Sequence, residues 1–148
     1  MIIIGYPGIG KSTVAKNDYR FIDLDSSPWK DIPNWAKYYI DVAEELSSQK
    51  YYVLVSSHDV VRNRLYRSKE PVVLCYPDPK LKGPWISKLY HRFQRDHNGK
   101  NMRAYRHVEA NFDEDIERMS LSPHKKLVIP TMKYNLKKLI VDYFETAR

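Results

Sequence analysis

The chain has 148 residues, 43% of them hydrophobic and 29% charged, with a formal net charge of +7; this is material for one domain, residues 1–148, with a single substantial core. No apolar run is long enough to span a bilayer, and Ile2 to Ile4 is too short for the apolar stretch of a signal peptide, so a cytoplasmic protein without a membrane role is expected. The only cysteine, Cys75, excludes an internal disulfide and reads as a small buried hydrophobe within the run Pro-Val-Val-Leu-Cys-Tyr.

The first apolar run, Ile2 to Ile4, breaks into Gly5-Tyr6-Pro7-Gly8-Ile9-Gly10-Lys11-Ser12. This is phosphate-loop spacing, in which a strand ends in a glycine-rich turn that opens into a helix and aims backbone N–H groups at one anion. Gly5, Gly8 and Gly10 permit dihedrals and a close approach that side chains block. Lys11 is expected against the β- and γ-phosphates of a nucleotide, and the Ser12 hydroxyl on Mg²⁺. Ile9 and Thr13 complete the expected nucleotide-binding stretch.

The second strand, Arg20 to Leu24, carries Asp23 and then Asp25 just past its end. Residues two apart on extended chain point the same way, so both carboxylates face one side. Phosphoryl transfer uses one carboxylate to orient or deprotonate the acceptor and often another to hold the water shell of Mg²⁺; Asp23 is assigned to the metal shell and Asp25 to the acceptor, with the reverse order as the alternative. Trp35, Tyr39, Val42, Ala43 and Leu46 then recur at helical spacing. Trp29, Trp35, Tyr38 and Tyr39 are either core or a stacking surface for a base.

The third strand, Tyr51 to Ser56, leads into Ser57-His58-Asp59-Val60-Val61-Arg62. An aspartate that anchors Mg²⁺ through water is common at this strand tip. Serines stand there instead, so Asp23 or Asp59 must substitute. Ser57, His58 and Arg62 are candidate substrate contacts, the Arg62 fork suiting an acceptor phosphate or carboxylate.

A fourth strand, Val72 to Tyr76, precedes a basic segment. From Lys80 to His107 eight lysines and arginines face Asp96 alone, and the remainder of the chain is balanced. Such local surplus suits a local anionic ligand more than general nucleic-acid binding. Arg92 and Arg95 are three apart on a helix expected over Trp85 to Asp96, and Arg103 and Arg106 repeat that spacing on the next. Each pair shares a face and can approach a transferring phosphoryl group from a mobile cover. Asp96 to Asn101 reads as a flexible turn. Tyr105, Val108, Phe112, Ile116 and Met119 form an apolar stripe, the strand Lys126 to Ile129 follows, and Leu136, Leu139, Ile140, Tyr143 and Phe144 form the last stripe. Strands alternating with helices predict a parallel α/β sheet, covered on both faces, with its ligands beyond the strands' carboxyl ends.

With Gly5 to Ser12, the Asp23-Leu24-Asp25 strand end, the Ser57 to Arg62 turn and an arginine-bearing lid over about 80–107, the chain resembles small phosphate-loop kinases of the nucleoside monophosphate kinase and shikimate kinase type, and phage-encoded nucleotide kinases. The resemblance implies a three-layer P-loop NTPase fold with five parallel strands in the order 2-3-1-4-5 and a short basic lid. It also implies ATP and Mg²⁺, with Lys11, Asp25, Arg92 and Arg95 as catalytic residues, Ser12 and Asp23 at the metal, and Pro130 and Met132 beside the adenine. The expected activity is transfer of the γ-phosphoryl group to a small acceptor, first a nucleoside or deoxynucleoside monophosphate. The alternatives are a 5′-hydroxyl kinase of nucleic acid or a small alcohol, and a non-kinase ATP-binding or ATPase regulatory module. The absence of the strand-three aspartate is a departure from the family pattern, and so is the short first helix, cut off at Asn17-Asp18-Tyr19.

Overall fold

A computed structural model describes residues 1–146. Five strands, β1 (Ile2–Gly5), β2 (Phe21–Asp23), β3 (Tyr52–Ser56), β4 (Val72–Pro77) and β5 (Lys126–Ile129), alternate with helices α1 (Lys11–Asn17), α2 (Trp35–Ser48), α3 (Asp59–Leu65), α4 (Lys82–Arg95), α5 (Gly99–Leu121) and α6 (Leu136–Thr146). The strands form one all-parallel sheet in the order β2-β3-β1-β4-β5, as expected. No helix among the described residues is long and apolar enough to cross a membrane.

The three inner strands are unbroken apolar runs because both of their faces are covered. Ile2, Ile3, Ile4, Val53, Leu54, Val55, Val73, Leu74 and Cys75 are all 0% exposed. Burial pushes the Cys75 thiol up to about 12, as suits an inert core residue. Right-handed crossovers put α1 and α6 on one face, where Lys137 meets Asp18 at 2.9 Å. On the other face α2 packs on β3 and α5 on β4, while α4 lies against α5. The apolar stripes supply these contacts: Tyr39, Ile40 and Ala43 from α2, Val108, Phe112, Ile116 and Met119 from α5, and Leu136, Ile140 and Phe144 from α6 are buried.

Register levels the strand ends that matter. Gly5 pairs with Ser56 on one side and Cys75 on the other. Between β2 and β3 the ladder is interrupted. The Leu24 N–H still donates to the Leu54 carbonyl at 2.9 Å, but where the Ser56 N–H would bond Leu24 in a parallel ladder, the Tyr39 hydroxyl is inserted. It accepts from the Ser56 N–H at 3.1 Å and donates to the Leu24 carbonyl at 2.5 Å. The chain after Asp23 is thereby levered off the sheet, and β2 stops at Asp23 although its apolar pattern runs on to Leu24. Tyr39 is 0% exposed, so of its two sequence readings it is core.

At the two ends of α4 the boundaries also differ from the sequence expectation. The helix expected from Trp85 begins at Lys82, with Pro84 in its first turn, where a missing N–H breaks no helical bond. The turn expected from Asp96 to Asn101 is a short capped junction rather than a flexible one. The Asn98 side chain accepts from the Asn101 N–H at 2.8 Å, the Asn101 amide donates to the Asp96 carbonyl at 2.9 Å, and α5 starts at Gly99. The early stop of α1 also has a local cause: the Asp18 carboxylate accepts from the Arg20 N–H at 2.9 Å, turning the chain into β2.

Replacing Tyr39 with Phe leaves the Ser56 N–H and Leu24 carbonyl unpaired in a buried place. Urea unfolding is expected to show a loss of about 1–3 kcal/mol, with the apolar packing of the ring retained.

Candidate functional site

Beyond β1 the chain makes its glycine-rich turn with Gly8 at φ 94° and Gly10 at φ 107°, values that side chains rarely tolerate. A Cβ on Gly5 would stand 2.5 Å from Ile9 Cδ1 and 3.1 Å from Lys11 Cδ. The empty position at Gly5 thus lets the loop close on itself. Ile9, 1% exposed, roots the loop in the core, so its side chain is structural. The backbone N–H groups of Lys11, Ser12 and Thr13 open α1 without an acceptor among the described residues. The Ser12 and Thr13 side chains are exposed beside them.

Lys11 curls back over this turn. Its ammonium donates to the Gly5 carbonyl at 2.8 Å and the Tyr6 carbonyl at 3.4 Å. Burial drives its pKa down to about 8, against the pull of Asp23.

The outer side of the loop is braced by residues that motif reading does not reveal. Trp85 Nε1 donates to the Pro7 carbonyl at 2.8 Å, and the Tyr134 hydroxyl donates to the Ile9 carbonyl at 2.8 Å. The two rings are stacked, 6.1 Å apart with 14° between planes. Lys88 Nζ lies 3.7 Å from the Trp85 ring centroid and donates to the Tyr134 hydroxyl at 3.1 Å. Burial and the neighbouring Arg92 lower Lys88 to about 8.

Arg92, one turn beyond Lys88 on α4, is half-buried, and its Nε has no hydrogen-bond partner. Burial, then Arg95, lowers its pKa. Arg95 itself is exposed. Lys11, Lys88 and Arg92 therefore converge on the loop with little carboxylate to neutralise them.

The two acidic residues after β2 differ. Burial raises Asp23, with Lys11 and Lys100 opposing. Asp25 is also raised by burial, but the Ser27 N–H and Lys100 outweigh that and leave it below the ordinary carboxylate value. Its Oδ1 accepts from the Ser27 N–H at 3.0 Å, and Oδ2 lies 3.7 Å from Lys100 Nζ. Ser56, beside Gly5 in the sheet, has a buried hydroxyl without a partner.

Ser57, His58 and Arg62 meet in a separate cavity of about 450 Å³ that also touches Tyr6, Trp35 and Asp115. Arg62 is 8% exposed; its Nε donates to the Ser57 carbonyl at 3.2 Å and its guanidinium pairs with Asp59. Trp35 stands edge-on to His58, centroids 6.0 Å apart. Burial, then Lys30, lowers the His58 pKa and favours the neutral ring. Asp59 is thus engaged by Arg62, whereas Asp23 faces Lys11.

Pro130 is exposed and Met132 half-buried against the core. The contact from their loop to the glycine-rich turn is made by Tyr134. The structure therefore separates the expected residues into the turn with Lys11, Asp23, Asp25 and Arg92, and the cavity with Ser57, His58 and Arg62; Tyr6 bounds both. Trp85, Lys88, Lys100 and Tyr134 were missed. For Trp85, Lys88 and Lys100 the only sequence signal is the basic segment, which does not say which side chain turns inward, and Tyr134 lies outside it on the loop beyond β5. No family model matches the chain, and no curated protein matches it in sequence.

With Lys11 and Lys88 each near 8, both are about half-protonated at pH 8. An anion favours the ammonium forms and raises both values, so binding takes up protons. Calorimetry of inorganic tripolyphosphate in buffers of different ionisation enthalpy, with the ligand's own proton release subtracted, is expected to report proton uptake by the protein at pH 8 that falls toward zero at pH 6.

Proposed function

We propose that this chain is an ATP-dependent phosphotransferase on a P-loop kinase fold, moving the γ-phosphoryl group to a small acceptor, in the first place a nucleoside or deoxynucleoside monophosphate. The observation that carries the reading is the convergence of Lys11, Lys88 and Arg92 on a glycine turn, with the Arg92 Nε buried and unpartnered. Half-buried cations with little counter-charge are costly. A polyphosphate supplies the missing charge.

In this reading the open N–H groups of Lys11, Ser12 and Thr13 hold the phosphates. Lys11 exchanges the Gly5 and Tyr6 carbonyls for phosphate oxygens, and Arg92, with Arg95 a turn away, offsets charge on the transferring group. Asp25, kept ionised, accepts or orients the acceptor proton. Ser12, an exposed hydroxyl, would hold Mg²⁺, with Asp23 and the orphaned Ser56 hydroxyl contributing through water, and the ion would supply positive charge against the phosphates. Among the described residues no cluster of three or more histidine, cysteine or acidic side chains forms a metal cage, which agrees with an ion that takes most of its ligands from substrate and water.

Arg62 supports an anionic acceptor. Only part of its guanidinium is spent on Ser57 and Asp59, leaving donors over for a phosphate. Trp35 and His58 line the same cavity and suit a planar base. A 5′-hydroxyl kinase of nucleic acid is the second reading, favoured by the exposure of Arg95, Arg103 and Arg106 along α4 and α5.

Incubation with γ-labelled ATP, Mg²⁺ and a panel of nucleosides, monophosphates, small alcohols and oligonucleotides tests the reading. Label is expected on a monophosphate; label on an oligonucleotide end selects the second reading, and hydrolysis that no acceptor accelerates selects a regulatory ATPase. Lys11→Ala is expected to lower turnover by about 10²–10³. Asp25→Asn is expected to reduce kcat more than it raises the KM of the acceptor.

A further inference from the structure

Tyr6 is the second residue of the glycine turn, and it is 1% exposed. Its main chain is fully engaged: the N–H donates to the Cys75 carbonyl at 3.0 Å, and the carbonyl accepts from the Ile9 N–H at 3.3 Å and from Lys11 Nζ at 3.4 Å. Its ring meets Phe112 of α5 edge-on, centroids 6.1 Å apart at 84°. The hydroxyl donates to Asp115 Oδ2 at 3.1 Å, across 109 residues of sequence. His107 Nε2 lies 2.8 Å from that same oxygen.

The Asp115 side chain is only 17% exposed. The Tyr6 hydroxyl from the turn and His107 from α5 thus meet at one oxygen of Asp115, also on α5, in the wall of the cavity that holds Arg62. Burial, then Asp115, raises the Tyr6 hydroxyl, which stays protonated and keeps donating. Asp115 in turn raises His107, against the effect of burial.

Tyr6 is therefore a junction: its carbonyl is part of the resting seat of Lys11, and its hydroxyl is the only side-chain bond from the turn to α5 among the described residues. We propose that Asp115 is a positioning residue of the glycine turn, acting through the Tyr6 hydroxyl, with His107 holding the carboxylate in place. No metal or nucleotide is needed for this role. Only its effect on ATP affinity rests on the phosphotransferase reading.

Amide hydrogen exchange of the intact chain over residues 5–12 tests it, in Tyr6→Phe, Asp115→Asn and the double variant. Tyr6→Phe removes one oxygen atom and keeps the ring, so it guards against a variant that fails to fold. Each single change is expected to speed exchange of the turn about tenfold. The double change is expected to be no faster than the faster single one, because both act through one bond. Exchange in α2 should stay as in the parent, which a general loss of stability would not allow. Unchanged exchange in the turn, additive effects, or equal acceleration in α2 would overturn the proposal. ATP affinity, measured in parallel, is expected to weaken about tenfold in both single variants. If the parent chain binds no ATP, the phosphotransferase reading fails, and the exchange comparison still decides the role of Asp115.

Discussion

A buried ammonium must find oxygen, and Lys11 finds it on the carbonyls of its own loop, Gly5 at 2.8 Å and Tyr6 at 3.4 Å. The surrounding structure follows from making that arrangement possible. Gly5 has no Cβ, so Ile9 and the stem of Lys11 can fold over it. The next carbonyls along the turn, those of Pro7 and Ile9, are occupied by Trp85 and Tyr134. With its carbonyls drawn outward, the turn leaves N–H groups and cations facing the opening. The positive α4 face adds Lys88 and Arg92, whose pKa values are lowered first by burial and then by a neighbouring arginine.

A second constraint shapes the acidic side of the site. A parallel sheet prolonged by one more ladder bond would carry Asp25 on along β2, flush with its neighbours. The Tyr39 hydroxyl takes that bond for itself. Asp23 then remains at the strand end near Lys11, while Asp25 turns away to the Ser27 N–H and Lys100. Two carboxylates two residues apart in sequence acquire different environments, one raised and one lowered in pKa. Acid–base chemistry and metal binding make such different demands on a pair.

The sheet was legible because its inner strands are apolar runs too short for helices, and because helical stripes follow β2, lie between β4 and β5, and follow β5. Glycine spacing located the turn, and the carboxylates after β2 were visible as a pair. The brace was not legible. Trp85 and Tyr134 bond backbone oxygens 78 and 125 residues away, and no local pattern encodes a side-chain donor aimed at a distant carbonyl. Lys88 and Arg92 were lost in a segment rich in cations, where burial alone distinguishes them from exposed Arg95. Tyr39 lay on an apolar stripe, and only its hydroxyl partners show that it also divides two strands. The start of α4 at Lys82 was not legible either, since Pro84 sits in its first turn, where its missing N–H breaks no helical bond.

The central claim is that this ring of amides and unpaired cations holds a triphosphate. A crystal structure with a non-hydrolysable ATP analogue and Mg²⁺ tests it most directly. The account predicts the triphosphate seated on the N–H groups of Lys11, Ser12 and Thr13, with Lys11 Nζ moved from the Gly5 and Tyr6 carbonyls onto phosphate oxygens. An empty turn at millimolar analogue, with Lys11 still on its own carbonyls, would contradict it.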